Sequence, residues 1–188
     1  PDQFSDSTYF SKELPLIVGK GSLLEIGTGT GVIGIFCALN GAKVVLTDIN
    51  PGAVKVAKEN AKAHNLNVLV IESDIYESIN DDEKFDYIFW SHPYNNWSEP
   101  VEDMLLRSGL DHNYNSLRKY IKGAKNHTLN LKVDETNDLN YESLIRELEC
   151  GGTKVIWFKT GGGKLYGGNA GIEATVSFDD EIVEDIED

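Results

Sequence analysis

The fold is decided by the stretch Leu23-Leu24-Glu25-Ile26-Gly27-Thr28-Gly29-Thr30-Gly31. An apolar run ends at Ile26, glycine then stands at every second position, and an apolar helical pattern follows from Val32 to Leu39. This order predicts a strand, a tight turn and a helix. Alternating glycines allow positive φ and leave no Cβ between the backbone and a ligand, and the free N–H groups of the new helix face that ligand. The stretch therefore predicts a cofactor-binding loop.

The composition is that of a globular protein. The chain has 188 residues, of which 40% are hydrophobic and 10% aromatic. We expect one domain over 1–188, with an N-terminal cap or lid over 1–20 and an acidic tail over 179–188. The formal net charge of −14 argues against extended nucleic-acid binding, because Lys and Arg supply most of the affinity for phosphate backbones.

The cellular location follows from what the sequence lacks. Cys37 and Cys150 have neither metal-ligand spacing nor the density of a disulfide scaffold. No stretch approaches the roughly 20 apolar residues needed to span a bilayer. We therefore expect a cytoplasmic protein without a membrane partner, and the sequence predicts no metal site.

Strands and helices alternate along the chain. Strands are predicted over 22–26, 43–47, 68–71, 85–90, 129–133, 153–159 and 172–178, helices over 32–40, 52–64, 115–124 and 139–149, and a glycine-rich turn over 161–168. The strands predicted over 68–71 and 85–90 are so apolar that we expect burial on both faces. The pattern predicts an α/β, Rossmann-like fold: a seven-stranded, mostly parallel sheet with helices on both faces and one antiparallel strand near the C-terminus.

The glycine register distinguishes between cofactors. A formal G-x-G-x-x-G begins at Gly29, which alone would suggest a dinucleotide. Because the strand ends at Ile26, however, the first glycine of the turn is Gly27, and the third fingerprint position is then Val32. Asp48 ends the second strand, where a carboxylate can accept hydrogen bonds from both hydroxyls of a ribose. Asp74 closes the third strand at the same edge and suits an adenine amine.

Four segments in this order resemble the class I S-adenosylmethionine-dependent methyltransferases. They are the loop 25–31, Thr47-Asp48-Ile49-Asn50-Pro51, Ser73-Asp74-Ile75 and the run 85–94. The resemblance implies that S-adenosyl-L-methionine is the cofactor, with the loop glycines near its methionine part, Asp48 near the ribose, and Asp74 with Ile75 near the adenine. The cofactor-binding residues it implies are Glu25, Gly27, Thr28, Gly29, Thr30, Gly31, Asp48, Ile49, Asn50, Asp74 and Ile75.

The segment Ser91-His92-Pro93-Tyr94 looks like the Asn-Pro-Pro-Tyr signature of release-factor glutamine and adenine methyltransferases. In that family the Asn oxygen and the following carbonyl accept both N–H bonds of the target amine, and the aromatic ring stacks on the planar group. Ser91 and His92 depart from the signature. The resemblance implies methylation of a nitrogen on a protein, RNA or small molecule, with the four residues of the segment in the catalytic role.

Three alternatives stay open at this point. Ser91 and His92 also fit a small-molecule O-methyltransferase in which His92 is the general base. The glycine loop and Asp48 alone also fit an NAD-binding oxidoreductase, and a protein that binds the cofactor without catalysis would look the same. The other histidines, His64, His112 and His127, lie in polar sequence and are expected at the surface.

Overall fold

The computed structural model describes residues 6–93, 95–127, 156–159, 164–169 and 172–177. The chain divides after Trp90 into two compact units, Pro1–Trp90 and Ser91–Asp188. One domain over 1–188 stays a prediction. In the described part of the chain, no helix has both the length and the apolar character required to cross a membrane.

The first unit contains a parallel sheet in which the strand order is β3-β2-β1-β4. Its elements are α1 (Asp6–Val18), β1 (Ser22–Ile26), α2 (Val32–Leu39), β2 (Lys43–Asp48), α3 (Pro51–Ala63), β3 (Leu69–Glu72) and β4 (Tyr87–Trp90). Ile26 pairs with Trp90, and Asp48 pairs with Glu72. The strands thus end together at one edge. Between β1 and β4 the order reverses, which is where ligands bind in open α/β sheets. The Rossmann-like parallel sheet is confirmed for these four strands, whereas the count of seven stays a prediction.

Local signals set the ends of the helices. The Asn50 side chain accepts a hydrogen bond from the Gly52 N–H at 2.8 Å, and Pro51 occupies the first helical position, so α3 begins where the sequence predicts. Gly41 follows α2 at a φ of 96°, the left-handed conformation of a C-terminal cap.

The core of this unit lies around β1, β2 and β4. Leu23, Leu24 and Leu46 are fully buried. Ile88 and Phe89, which are adjacent in β4 and so point to opposite faces, are buried as well, which confirms the predicted burial on both faces for this strand. The prediction is wrong for β3, because Leu69 is 55% exposed. In this unit β3 has a strand partner on one side only, so part of its surface faces solvent.

Helix α1 packs against α2 and buries Phe10, Leu14 and Val18. The Phe10 ring lies with its centroid 5.2 Å from that of Phe89 in β4. The helix is thirteen residues long and contributes to the core. Its action as a lid stays a prediction.

The second unit begins with a small parallel sheet. It consists of β5 (Asn95–Trp97) and β6 (Leu110–His112), with a 3₁₀ turn at Leu106–Ser108, and α4 (Asn115–His127) follows. The buried Asp111 carboxylate accepts the Ser116 and Leu117 N–H groups, both at 3.0 Å, and so caps α4.

One surface prediction is wrong in this unit. His127 is buried, because α4 extends to it and because it follows Tyr120 and Ala124 at helical spacing on the same buried face. His64 is exposed and His112 half-buried.

The glycine-rich turn predicted over 161–168 is also wrong in part. Strand β8 (Lys164–Asn169) pairs antiparallel with both β7 (Ile156–Lys159) and β9 (Ile172–Ser177). Leu165 and Tyr166 favour an extended chain, which sequence reasoning underweighted beside the glycines. The strand predicted over 129–133 and the helix predicted over 139–149 lie outside the described residues.

Candidate active site

The loop after β1 takes the backbone path that its glycines predict. Gly27, Gly29 and Gly31 have φ values of 62°, 58° and 80°, all in the left-handed region. The Thr28 N–H donates to the Thr47 carbonyl at 2.9 Å and so ties the loop to β2. A methyl group on Gly27 would lie 2.7 Å from Trp90 Nε1, whereas one on Gly29 would meet nothing within 4 Å. The loop backbone therefore carries no side chain at its three glycines, and at Gly29 it borders open space.

Asp48, at the end of β2, binds the backbone of this loop. Its Oδ2 accepts the Gly29 N–H at 2.8 Å, and its Oδ1 accepts the Asn50 N–H at 2.9 Å. A carboxylate has about four acceptor positions, so each oxygen keeps capacity for a further donor. The side chain is 9% exposed. Asp48 thus fixes the loop and retains the capacity to accept two hydroxyl groups.

Glu25 is buried beneath the same loop. Its Oε2 accepts the Gly34 N–H from α2 at 2.8 Å. Burial raises the pKa of the Glu25 carboxyl to about 8; the Thr28 hydroxyl and the Gly34 N–H oppose this rise, and the Asp48 charge adds to it. Burial and the neighbouring Glu25 likewise raise the pKa of the Cys37 thiol to about 12. Near neutral pH, Glu25 is therefore protonated.

The raised pKa of Glu25 predicts a stability that falls with pH. Between pH 4.5 and about 8 the folded state keeps a proton on Glu25 that the unfolded state releases, so the free energy of unfolding decreases as the pH rises through this window. Urea titrations measure the free energy of unfolding of the wild type and of Glu25→Gln. Between pH 5 and about 8 the wild type should lose a few kcal/mol relative to the variant, which has no titrating group at this position. The titration of His92 adds the same pH dependence to both proteins, so it cancels in their difference. Parallel curves from pH 5 to 8.5 would contradict a buried, protonated Glu25.

The segment Ser73-Asp74-Ile75 carries backbone strain. Ile75 is buried at a φ of 54°, which is unfavourable for a β-branched residue. The Ser73 hydroxyl donates to the Ile75 carbonyl at 3.1 Å and accepts the Ser78 N–H at 3.0 Å, and the Ser73 N–H donates to the Asp48 carbonyl at 3.0 Å. These bonds hold the strained turn beside the end of β2. Asp74 is half-buried.

Ser91, His92 and Pro93 follow β4 directly in the chain. His92 is 2% exposed, and its Nδ1 lies 2.8 Å from the Pro93 carbonyl oxygen. A carbonyl only accepts, so Nδ1 carries the proton in this contact. Burial lowers the pKa of His92 to about 4, against a smaller opposing effect of the Pro93 carbonyl. Ser91 is half-buried, and Tyr94 lies outside the described residues.

The structure thus brings together the predicted residues of the first unit. The loop 25–31, Asp48, Asn50 and the 73–75 segment meet where β1, β2 and β3 end. Ile49 lies between Asp48 and Asn50 at this edge, and its side chain is half-buried. The roles of all these residues toward a ligand stay predictions.

Sequence reasoning missed three supports of the loop. The Thr47 hydroxyl donates to the Glu25 carbonyl at 3.2 Å, Gly34 lets α2 approach the sheet, and the Asn60 amide donates to the Thr30 carbonyl at 2.8 Å. Gly34 was visible as a glycine inside a helical pattern, which usually has a packing reason. No local signal indicated the hydrogen bonds of the Thr47 and Asn60 side chains.

A family model identifies the arrangement. Residues 6–128 match the methyltransferase small domain, which is more than half of the chain. The chain belongs to this methyltransferase family. The predicted family of S-adenosylmethionine-dependent methyltransferases is therefore confirmed, and the alternative of an NAD-binding oxidoreductase is wrong.

Relatives of this methyltransferase domain are named as glutamine methyltransferases. A protein of Methanocaldococcus jannaschii, provisionally named a protein N5-glutamine methyltransferase, is 50% identical over 108 residues, which cover 56% of this chain and 53% of the relative. A release factor glutamine methyltransferase of Streptococcus pneumoniae is 40% identical over 75 residues, which cover 39% of this chain and 26% of that protein. The chain spans about half the length of the first relative and less of the second.

A solved structure supports the fold. The T. thermophilus 16S rRNA N2 methyltransferase, in complex with S-adenosylmethionine and guanosine, is similar with a TM-score of 0.54 and 19% identity. The similarity covers 84% of this chain and 43% of that one. At this identity the likeness shows the Rossmann-like methyltransferase fold alone.

A cavity of about 520 Å³ lies at the opposite edge of the sheet, where the strands begin. Ser22, Lys43 and Leu69 are among its lining residues. None of the candidate site residues that the structure describes lines it, so the cavity is separate from the site where β1, β2 and β3 end.

Proposed function

We propose that this methyltransferase domain transfers a methyl group from S-adenosylmethionine to an amide nitrogen, with a protein glutamine side chain as the acceptor. The observation that carries the cofactor part is the bare glycine loop tied to Asp48, which keeps acceptor capacity at the end of β2. The acceptor part rests on the two relatives, both named as glutamine methyltransferases. The net charge of −14 favours a protein over RNA.

The residues of the first unit fit this cofactor. Gly29 leaves open space for the methionine part, Asp48 would accept the ribose hydroxyls, and the apolar Ile75 beside Asp74 suits an adenine ring with its amine. When bound, S-adenosylmethionine supplies a methyl group on a good leaving group, the sulfonium sulfur. The chain itself then has to position the acceptor and exclude water.

The segment after β4 supports a nitrogen acceptor over a base-assisted oxygen acceptor. The His92 ring is buried, its Nδ1 proton is engaged by Pro93, and its lowered pKa makes it a weak base. This leaves the His92 backbone carbonyl and the Ser91 hydroxyl as acceptors for the N–H bonds of a planar amide. Ser91 is shorter than the asparagine of the family signature, so one of these bonds has a shorter reach.

Three narrower features belong to the same proposal. They are the complete seven-stranded sheet, the cytoplasmic location and the roles of Ser91, His92, Pro93 and Tyr94 at the acceptor.

The test is methyl transfer with S-adenosylmethionine labelled in its methyl group. Glutamine-containing peptides and short RNAs serve as acceptors, and tandem mass spectrometry of the intact acceptors locates the label. We expect N5-methylglutamine from the peptides and a background level from the RNAs. Ser91→Asn should keep or raise this activity, because asparagine restores the longer acceptor of the signature.

Other outcomes separate the alternatives. Label on a hydroxyl, lost in His92→Ala and kept in Ser91→Asn, would establish the O-methyltransferase. Label on the amines of RNA bases would show that the acceptor is RNA and not a protein. Binding of S-adenosylhomocysteine without transfer to any acceptor would indicate a cofactor-binding protein that has no catalysis of its own.

A further inference from the structure

We propose that Asn60 is a positioning residue that sets the orientation of the Thr30–Gly31 peptide in the cofactor loop. Asn60 lies on α3, and its Nδ2 donates to the Thr30 carbonyl oxygen at 2.8 Å across thirty residues of sequence. The inference rests on the proposed cofactor function and adds to it a residue that none of the motifs contains.

A second contact one helical turn away shows that α3 carries this part of the loop. A methyl group on Gly31 would lie 3.2 Å from the Cβ of Ala57, which is fully buried. Ala57 and Asn60 are three residues apart and share a face of α3. Ala57 therefore sets how closely the loop approaches the helix, and Asn60 sets which way the peptide turns.

The peptide needs such a constraint because glycine tolerates both orientations. Rotation of the Thr30–Gly31 peptide plane changes ψ of Thr30 and φ of Gly31, and Gly31 can take either sign of φ at little steric cost. In the structure the Gly31 N–H donates to the Thr28 carbonyl at 2.9 Å, and the Thr30 carbonyl is held by Asn60. Loss of the amide frees one of the two ends of this peptide.

Two side chains, one at the end of β2 and one on α3, thus hold two neighbouring peptides of the loop. Asp48 binds the Gly29 N–H, and Asn60 binds the Thr30 carbonyl. Gly31 is also the residue before α2, and its carbonyl accepts the Ile35 N–H at 2.9 Å. A turned peptide would therefore displace the start of α2, which follows the cofactor loop directly.

The experiment compares Asn60→Ala and Asn60→Asp with the wild type by calorimetric titration of S-adenosylhomocysteine. We expect the Kd of Asn60→Ala to rise about 3- to 10-fold, the value of one hydrogen bond. Asn60→Asp keeps the shape but presents no donor, so its Kd should rise at least as much. Glu59→Ala, an exposed neighbour on the same helix, should bind within about twofold of the wild type.

Thermal melting without ligand distinguishes positioning from mere stabilisation. Alanine has a higher helix propensity than asparagine, so the melting temperature of Asn60→Ala should stay within about 4 °C of the wild type. Asn60 variants that bind like the wild type would overturn the inference while leaving the proposed function intact. If the wild type itself does not bind S-adenosylhomocysteine, the proposed function fails and the inference fails with it.

Discussion

Asp48→Ala is expected to weaken S-adenosylhomocysteine binding by about 100-fold or more and to abolish the thermal shift that this ligand causes. Two effects combine. The variant loses the proposed charge-assisted bonds to the ribose hydroxyls, each worth about 1.5–3 kcal/mol, and it releases the Gly29 N–H from its partner at 2.8 Å. Calorimetric titration and thermal melting measure both consequences.

Asp48→Asn tests whether shape alone suffices. Both carboxylate oxygens of Asp48 accept backbone N–H groups, from Gly29 and from Asn50. The amide NH₂ of asparagine must face one of these donors, so we expect affinity nearly as low as in Asp48→Ala. Wild-type affinity in Asp48→Asn would show that the carboxylate is not a cofactor ligand.

Asp86 supplies the matched control. Its Oδ2 accepts the Ser22 N–H at 2.8 Å and the Ser22 hydroxyl at 2.9 Å, so it is a carboxylate with similar bonding. It lies where the strands begin, at the edge away from the loop. Asp86→Asn should lower the melting temperature and leave the affinity for S-adenosylhomocysteine within about twofold. An equal loss of affinity in both variants would point to general destabilisation.

The parts of the fold that sequence predicted are those with local signals. The apolar run that breaks at Gly27 places the end of β1, and Asn50-Pro51 places the start of α3; both agree with the structure. The exposure of Leu69 depends on which strands flank β3, and the burial of His127 depends on which face of α4 is covered. Neither property belongs to a window of sequence, so neither could be predicted from one.

The candidate site divides in the same way. Residue types identified the loop and Asp48, because glycines and a carboxylate at strand ends have few other uses. The hydrogen bonds that hold the loop and Asp48 in place could not be predicted from the sequence. Asn60 reaches Thr30 from thirty residues away, and Asp48 accepts the Gly29 N–H of the loop, a contact that the sequence did not predict. Such contacts depend on the packing of α2 and α3 against the sheet.

Gly34→Ala is expected to destabilise the protein by about 2–3 kcal/mol, because it overfills the contact between α2 and the sheet. The added methyl group would clash with Leu46, lie 2.5 Å from Glu25 Oε2 and lie 3.1 Å from Val44. All four residues are buried, so none can move into solvent. The clash outweighs the gain of up to about 1 kcal/mol that alanine brings to a helix interior.

Urea denaturation of two further variants separates packing from helix propensity. Gly52→Ala, in the first turn of α3, meets only the Asn50 side chain at 3.1 Å, and its stability should change by less than about 1 kcal/mol. Leu46→Val removes part of the group that the new methyl strikes, so its effect combined with Gly34→Ala should be smaller than the sum of the two single effects. Two results would contradict the close approach of α2 to the sheet: destabilisations of Gly34→Ala and Leu46→Val that are strictly additive, or a Gly34→Ala variant as stable as the wild type. This close approach lets the Gly34 N–H reach Glu25 and places the start of α2 beside the cofactor loop.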